Sequence, residues 1–224
     1  MNKKLCVCLI ERDLHRCMDF VTKTNADIIE HRLDFMDHIG NLNQIYAASV
    51  APIIATCRSQ NSGGRFQGEE EDRINYLLEA VEAGASYVDI ELEMGSKHLE
   101  QILQVAMNNE CKCIVSKHYF DSTPDAQELL ALLNQMANGP ADIMKIVTTP
   151  SSIEDCIRTL LLYEMNETEL PLIAFGMGQF GRFTRIRALK LGAPFMYVSQ
   201  DIGRVAAPGQ ISLSQMRKLM EVIL

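Results

Sequence analysis

Hydrophobic and polar positions follow two alternating patterns along the chain. Short apolar runs rich in β-branched residues are typical of buried strands, and longer stretches with apolar residues at helical spacing are typical of amphipathic helices. Residues 70–83 show the second pattern clearly, through Ile74, Leu77, Leu78 and Val81. Strands are predicted at residues 5–10, 27–33, 52–57, 87–92, 111–117, 143–148, 171–175 and 195–199.

Helical segments separate these strands. Pro124 and Ser212 stand at helix starts, and Gly84 and Gly192 stand where helices end. Eight strands in strict alternation with about eight helices indicate parallel strands and favour a closed (β/α)8 TIM barrel over an open doubly wound sheet. The chain shows no repeat or linker, so we expect one α/β domain over residues 1–224. Helices are predicted at residues 70–83, 99–107, 125–136, 153–165, 184–191 and 213–223.

Composition narrows the class of protein. The chain is 47% hydrophobic and 22% charged, as in soluble globular proteins, and its net charge of -8 argues against binding nucleic acid or an anionic membrane. No apolar run approaches the ~18–20 residues that cross a bilayer. The pairs Cys6/Cys8 and Cys111/Cys113 lack zinc-site spacing and lie in predicted strands. We therefore expect reduced, buried thiols, no metal, and a cytoplasmic location.

Polar side chains end most of the predicted strands. In a barrel of this class the chemistry lies at the C-terminal ends of the strands, and residues two apart point to the same side. Any one pair is equally well explained as a rim salt bridge. Polar and charged residues at the same end of five strands, however, indicate a catalytic or binding site. These residues are Glu30, Arg32, Thr56, Arg58, Asp89, Glu91, Ser116, His118 and Lys145.

Lys145 is the most informative single residue. It lies in the apolar segment 141–147, where an ammonium group is costly without a partner or a task. Burial favours the neutral amine, which is the nucleophile that condenses with a ketone, while an ion pair with Glu91 or Glu30 is the structural alternative. His118 ends the preceding strand, and imidazole both takes up and releases protons near neutral pH.

Three glycine-containing segments are candidates for ligand-binding loops. Residues 63–68 lack the spacing of a phosphate-binding loop. Residues 176–181 match the dinucleotide glycine pattern, but they follow the seventh strand and have no ribose-binding acid about twenty residues on. Residues 206–210 follow the last strand, and we interpret them as an ordered loop over the barrel mouth, or else as a plain surface turn.

Taken in order, these motifs resemble one known family. They are Glu30-His31-Arg32-Leu33-Asp34, Thr56-Cys57-Arg58, Gly63-Gly64, Ser116-Lys117-His118, Asp142 through Lys145, Phe183-Thr184-Arg185 and Ala207-Pro208-Gly209-Gln210. At similar spacing over nearly the whole chain, the set is similar to type I 3-dehydroquinate dehydratase. The resemblance implies dehydration of 3-dehydroquinate to 3-dehydroshikimate in the shikimate pathway, without metal or organic cofactor, by a homodimer.

The resemblance also implies roles for individual residues. Lys145 matches the lysine that forms a Schiff base with the substrate, and His118 matches the general acid and base. Arg185 and Gln210 match the positions that hold the substrate carboxylate, where a guanidinium can donate two parallel hydrogen bonds. The positions that bind the ring hydroxyls and frame the pocket are matched by Glu30, Arg32 and Arg58.

The chain departs from the better-known bacterial pattern in three places. Ser62 stands where those relatives carry a glutamate associated with the catalytic histidine. A serine cannot hold a charge against imidazolium, so that support for His118 is either lost or supplied by Asp89 or Glu91. The other two departures are Ala206, in place of a serine, and Cys8, in place of a small polar residue.

Two alternatives remain at this stage. One is another Schiff-base barrel, such as a class I aldolase acting on a keto acid or sugar phosphate, for which residues 176–181 would supply the phosphate site. The other is a catalytically weakened barrel that senses a quinate-like metabolite, an idea that rests on Ser62 and Ala206. Turnover of 3-dehydroquinate would separate all three.

Overall fold

The computed structural model describes residues 3–201 and 206–223. Within them, strands and α-helices alternate along the whole chain. The strands are β1 (Lys4–Leu9), β2 (Ile28–Arg32), β3 (Ile53–Thr56), β4 (Tyr87–Glu91), β5 (Lys112–His118), β6 (Ile143–Thr148), β7 (Leu172–Gly176) and β8 (Phe195–Val198). The helices are α1 (Leu14–Lys23), α2 (Leu42–Ala47), α3 (Glu70–Glu82), α4 (Ser96–Asn108), α5 (Ala126–Ala137), α6 (Ile153–Met165), α7 (Gly178–Leu191) and α8 (Leu213–Ile223).

The strands form one sheet with parallel neighbours. Their hydrogen-bonded order is β7-β6-β5-β4-β3-β2-β1-β8, and the pairs β2–β3, β3–β4 and β6–β7 run parallel. Parallel neighbours in sequence order, each joined by a helical crossover, define the (β/α)8 barrel and confirm the predicted fold class. The contacts group the chain into two compact units: an N-terminal unit, Val7–Ile114, and a C-terminal unit, Met1–Cys6 with Val115–Leu224.

Each unit has its own apolar core. In the N-terminal unit, Ile74, Leu77 and Val81 of α3 are buried, as their helical spacing predicted, and Leu78 is half-buried. In the C-terminal unit every residue of β6 is buried, and Leu162 of α6 has no exposed surface. Fully burying a side chain of this size contributes about 1.5–3 kcal/mol relative to leaving it exposed, so these inward faces hold the helices on the sheet.

Polar residues start several helices where the sequence predicted starts. Asp125 is the N-cap of α5 and accepts a hydrogen bond from the Glu128 backbone N–H at 2.8 Å. Ser152 caps α6 in the same way, with the Asp155 N–H at 3.1 Å. A cap of this kind contributes about 0.5–2 kcal/mol. The ends of β6, α6 and α8 coincide with the predicted ranges.

The structure also differs from the predicted pattern. The sequence pattern did not locate α1 and α2, because α2 has only six residues and α1 buries only Cys17 and Val21. Helix α7 begins at Gly178 instead of residue 184. Its early glycines suggested a loop, but a Cβ on Gly181 would lie 2.2 Å from the carbonyl carbon of Gly176. The glycine spacing there lets a helix pack directly on a strand end.

Two further expectations can be compared with the described part of the chain. None of its helices combines the length and hydropathy that a bilayer-spanning segment requires. All seven cysteines are buried thiols, in agreement with the expectation for the pairs Cys6/Cys8 and Cys111/Cys113.

Candidate active site

Lys145 lies in the middle of β6, in the C-terminal unit. It is 3% exposed, and its neighbours along the strand, Met144 and Ile146, are fully buried. The Nζ atom lies 4.0 Å from the centroid of the Tyr197 ring, on the face of the ring. A buried ammonium gains from an aromatic face because the π-system presents negative charge there. The aromatic partner was not predicted from the sequence.

His118 is the last residue of β5 and is half-buried. Its ring stacks on Phe120, with the centroids 5.8 Å apart and the planes 10° from parallel. The chain just after it is tied to β6, because the Tyr119 N–H donates to the Val147 carbonyl at 2.8 Å and Thr149 Oγ1 donates to the Tyr119 carbonyl at 2.8 Å. These bonds fix the backbone of His118 against the strand that carries Lys145.

Arg185 lies on the inward face of α7 and is 1% exposed. Its guanidinium carbon is 4.2 Å from the centroid of the Phe175 ring, and Nη1 donates to the Tyr197 carbonyl at 3.4 Å. Lys145 and Arg185, which are both buried in the C-terminal unit, therefore both contact Tyr197.

The segment 206–210 packs on the start of α7. The Gly178 N–H donates to the Pro208 carbonyl at 3.1 Å, and a Cβ on Gly209 would lie 2.3 Å from the Gly178 carbonyl oxygen. Gln210 Oε1 accepts hydrogen bonds from the N–H groups of Ala206, at 2.8 Å, and Ala207, at 3.4 Å. Gln210 thus organises its own loop. The Gly178 N–H is engaged by the Pro208 carbonyl, so it does not support the phosphate site that the aldolase alternative requires.

Glu30 and Arg32 end β2 in the N-terminal unit, and both are buried. Glu30 accepts hydrogen bonds from Cys8 Sγ at 3.1 Å and Thr56 Oγ1 at 3.2 Å. Arg32 donates from Nε and Nη2 to the two carboxylate oxygens of Asp34, each at 2.8 Å. Burial opposes the charge of Arg32, but the hydrogen bond and charge of Asp34 raise its pKa above the usual value.

Arg58 follows β3 and belongs to a buried network of charges. Its Nη2 lies 2.8 Å from Asp89 Oδ1, and its Nη1 lies 3.8 Å from Glu91 Oε1. Glu91 also accepts from the backbone N–H and hydroxyl of Ser59, at 2.9 and 2.8 Å. Burial disfavours the Arg58 cation, yet Asp89 and Glu91 raise its pKa.

Arg73 belongs to the same network and was missed from the sequence. It is 2% exposed, lies 3.6 Å from Glu91 and donates to the Cys57 carbonyl at 2.8 Å. The available signal was a charged residue beside Ile74 on the apolar face of α3. Within the N-terminal unit, Asp89 and Glu91 are therefore engaged with arginines. Their suggested role toward His118 remains a prediction.

His31 lies between Glu30 and Arg32 in sequence but on the opposite face of β2. It is fully buried, and its ring nitrogens lie 3.2 Å from Tyr46 Oη and 3.7 Å from Cys17 Sγ. Burial lowers the pKa of its imidazole to about 4, against a smaller opposing effect of Asp34. It is a neutral core residue, and strand alternation explains why it is separated from the charged pair beside it.

Ser62 ends a short 3-10 helix, Gln60–Ser62, that leads into the Gly63-Gly64 turn. Gly63 adopts a left-handed conformation with φ 74°, and a Cβ on Gly64 would lie 1.9 Å from the Arg58 carbonyl oxygen. The turn therefore requires glycine, because its backbone rests directly on the end of β3. The serine itself is half-buried.

Comparisons with known proteins agree with one another. A family model described as type I 3-dehydroquinase matches residues 5–224. A 3-dehydroquinate dehydratase from Desulfotalea psychrophila is 35% identical over 218 residues, covering 96% of this chain and 96% of that protein. One from Dehalococcoides mccartyi is 37% identical over 213 residues, covering 94% and 92%. The crystal structure of the enzyme from Geobacillus kaustophilus superposes with a TM-score of 0.87 at 27% identity, covering 99% and 91%.

Proposed function

The chain belongs to the type I 3-dehydroquinase family, and on that premise we propose that Lys145 forms a Schiff base with the substrate while His118 transfers the protons. The activity that follows from the family is that of 3-dehydroquinate dehydratase, a hydro-lyase of the shikimate pathway. The observation that most supports the finer assignment is the burial of Lys145, an amine, within an otherwise apolar strand.

The proposed reaction begins at the ketone. The neutral amine of Lys145 attacks C3, the carbonyl oxygen leaves as water with uptake of one proton from solvent, and a protonated imine remains. The imine acidifies the C2 proton, because its nitrogen accepts the electrons left behind. His118 removes that proton, then donates it to the C1 hydroxyl, which departs as a second water molecule. Hydrolysis of the imine takes up one water molecule, restores the neutral amine of Lys145, and releases the conjugated ketone and one proton to solvent.

The substrate carboxylate is assigned to Arg185 and Gln210. A guanidinium suits a carboxylate because it can donate two parallel hydrogen bonds. The bonds from Ala206 and Ala207 to Gln210 Oε1 orient its amide, so that its NH₂ end is the one that can donate to an anion. A buried arginine on α7 and an oriented amide make an anionic substrate compatible with a protein of net charge -8.

The ring hydroxyls are assigned to the N-terminal unit. Glu30, held by Cys8 and Thr56, is a hydrogen-bond acceptor of fixed orientation. Arg32 and Arg58 are donors that carboxylates hold in place. Side chains whose positions are set before binding lose little conformational entropy when substrate arrives. This argument supports Glu30, Arg32 and Arg58 as substrate-binding residues.

A second copy of this chain is proposed as the protein partner. Ile153, Ile157 and Leu161 recur every fourth residue along α6 and are 41–51% exposed, and Phe180 and Phe183 of α7 are 48% and 40% exposed. Exposed apolar surface of this kind marks interaction sites. Sedimentation of the protein should report a dimer that Ile157→Glu weakens; an unchanged dimer would place the interface elsewhere. The buried reduced thiols support a reducing compartment, the cytoplasm.

Trapping tests the proposed chemistry. Borohydride added with 3-dehydroquinate should reduce the imine and leave a covalent adduct that peptide mapping finds on Lys145 and not on exposed Lys190. The absorbance of the conjugated product should report turnover in the same sample. An active protein without an adduct on Lys145 would disprove the imine mechanism. An inactive protein that still binds quinate-like compounds would favour the sensor alternative.

A further inference from the structure

Tyr197 of β8 is the aromatic residue that contacts Lys145. Its ring centroid lies 4.0 Å from Nζ, and the two side chains are each 3% exposed. A cation on a desolvated ring is attracted more strongly than one in water, because little solvent screens the interaction. The contact therefore lies at the nitrogen that would form the imine.

Other residues hold the Tyr197 ring in place. Phe195 packs edge-on against it, with centroids 5.5 Å apart, and Phe175 lies 6.3 Å away in a tilted arrangement. The Tyr197 carbonyl accepts a hydrogen bond from Arg185 Nη1 at 3.4 Å. These two aromatic contacts limit the freedom of the ring to turn and so keep its face directed at Nζ.

The proposed reaction places a positive charge next to this ring face. Once the amine has condensed with a ketone, the positive charge sits on a protonated imine at the same nitrogen. The ammonium carries three N–H donors, but the protonated imine carries one. Fewer hydrogen bonds can therefore offset the cost of burying the charge of the imine. An aromatic face requires no donor, because it attracts the charge itself. It also blocks one direction of approach to Nζ and so directs the carbonyl carbon to the other.

We propose that Tyr197 is a positioning residue that stabilises the protonated imine on Lys145 and sets the direction from which the ketone approaches. This inference rests on the proposed Schiff-base function. It assigns the effect to the ring face, and it predicts that a residue of similar size without a π-system cannot replace it. A role in packing alone predicts the opposite.

The test compares three variants with the wild type. Tyr197→Phe keeps the ring and Tyr197→Leu removes it. Tyr46→Leu is the control, because it removes a buried ring of the N-terminal unit that packs on His31. For each protein, borohydride trapping is measured against 3-dehydroquinate concentration, together with kcat, KM and the thermal midpoint.

Tyr197→Leu should need about tenfold more substrate for half-maximal trapping, since a cation–π contact of about 1.4 kcal/mol changes an equilibrium constant tenfold. Tyr197→Phe and Tyr46→Leu should stay within about twofold of the wild type. Equal losses in Tyr197→Leu and Tyr46→Leu would overturn the proposal. A wild type that is active but untrapped would instead overturn the Schiff-base function.

A second measurement applies if Tyr197→Leu does not fold. Phenylalanine analogues with increasing numbers of fluorine atoms, placed at position 197, weaken the negative face of the ring with little change of volume. Half-maximal trapping should move to higher substrate concentration with each fluorine, while the thermal midpoint shows no matching trend. Trapping that is independent of fluorination would contradict the proposal.

Discussion

The N-terminal and C-terminal units hold their buried cations in different ways. In the N-terminal unit, Arg32 and Arg58 are paired with carboxylates at 2.8 Å. In the C-terminal unit, Lys145 and Arg185 rest on the rings of Tyr197 and Phe175. A carboxylate fixes a guanidinium by using its hydrogen-bond donors, whereas a ring face stabilises a charge without using a donor.

This difference predicts that substitutions in the N-terminal unit affect mainly stability and those in the C-terminal unit affect mainly catalysis. Removing one member of a buried ion pair leaves an uncompensated charge, so the N-terminal unit should respond to substitution mainly by losing stability. Lys145 and Arg185 are the residues proposed to react with the substrate and to bind it, so the C-terminal unit should respond to their substitution mainly by losing activity. The predictions below test that division, from the largest expected effect to the smallest.

His118→Ala should have the largest effect on catalysis. Loss of the general acid and base should lower kcat by about 10²–10⁴-fold, while the thermal midpoint changes little, because the half-buried ring contributes little packing. Slow formation of the imine on Lys145 should persist and can be followed by trapping. His15→Ala, at an exposed position of α1, is the control. Full turnover without His118 would remove it from the mechanism.

Asp89→Asn should affect mainly stability. The substitution removes the carboxylate that lies 2.8 Å from buried Arg58 and leaves Glu91 at 3.8 Å as a more distant charge. Removing one partner of a buried ion pair costs about 3–5 kcal/mol of unfolding free energy. Denaturant unfolding measures the loss, and the exposed Asp72→Asn on α3 is the matched control. If Asp89→Asn unfolds like the wild type but has lost turnover, the division between the units is wrong and Asp89 acts in catalysis.

Arg185→Gln should raise KM by about tenfold to a hundredfold, since a charge-assisted hydrogen bond contributes about 1.5–3 kcal/mol. Formation of the imine at saturating substrate should survive, because the chemistry lies on other residues. Arg187→Gln, exposed on the same helix, should leave KM unchanged. An unchanged KM in Arg185→Gln would assign the substrate carboxylate to another residue.

Burial of His31 in the N-terminal unit should make the stability of the protein depend on pH. The folded-state pKa of His31, about 4, lies below the unfolded value of 6.5, so the unfolded chain binds more protons between them. The contribution of the neutral His31 ring to the free energy of unfolding is fully present above pH 6.5 and is lost as pH falls toward 4. Between about pH 7.5 and 5 the loss should reach about 2 kcal/mol. His31→Gln should flatten this slope; a slope equal to the wild type would assign it to other groups.

Much of the fold followed from local pattern. The alternation of apolar runs with helical stretches predicted all eight strands, because a strand buried on both faces carries a continuous apolar run. The pattern was weakest at α1, α2 and the start of α7. Helix α2 has only six residues, and α1 buries only Cys17 and Val21. At the start of α7 the governing constraint is the close approach of Gly181 to Gly176, which a single sequence does not display.

The candidate site, like the fold, could be predicted from the sequence only in part. The sequence by itself determined which charged residues end the strands, since residues two apart on a strand share a face and an isolated lysine in an apolar strand stands out. Only the tertiary structure decided what each charge contacts: Tyr197 against Lys145, Arg73 against Glu91, Cys8 against Glu30. These partners lie 18 to 52 positions apart in the chain. Contacts across such separations arise when strands and helices pack together, and no local spacing encodes them.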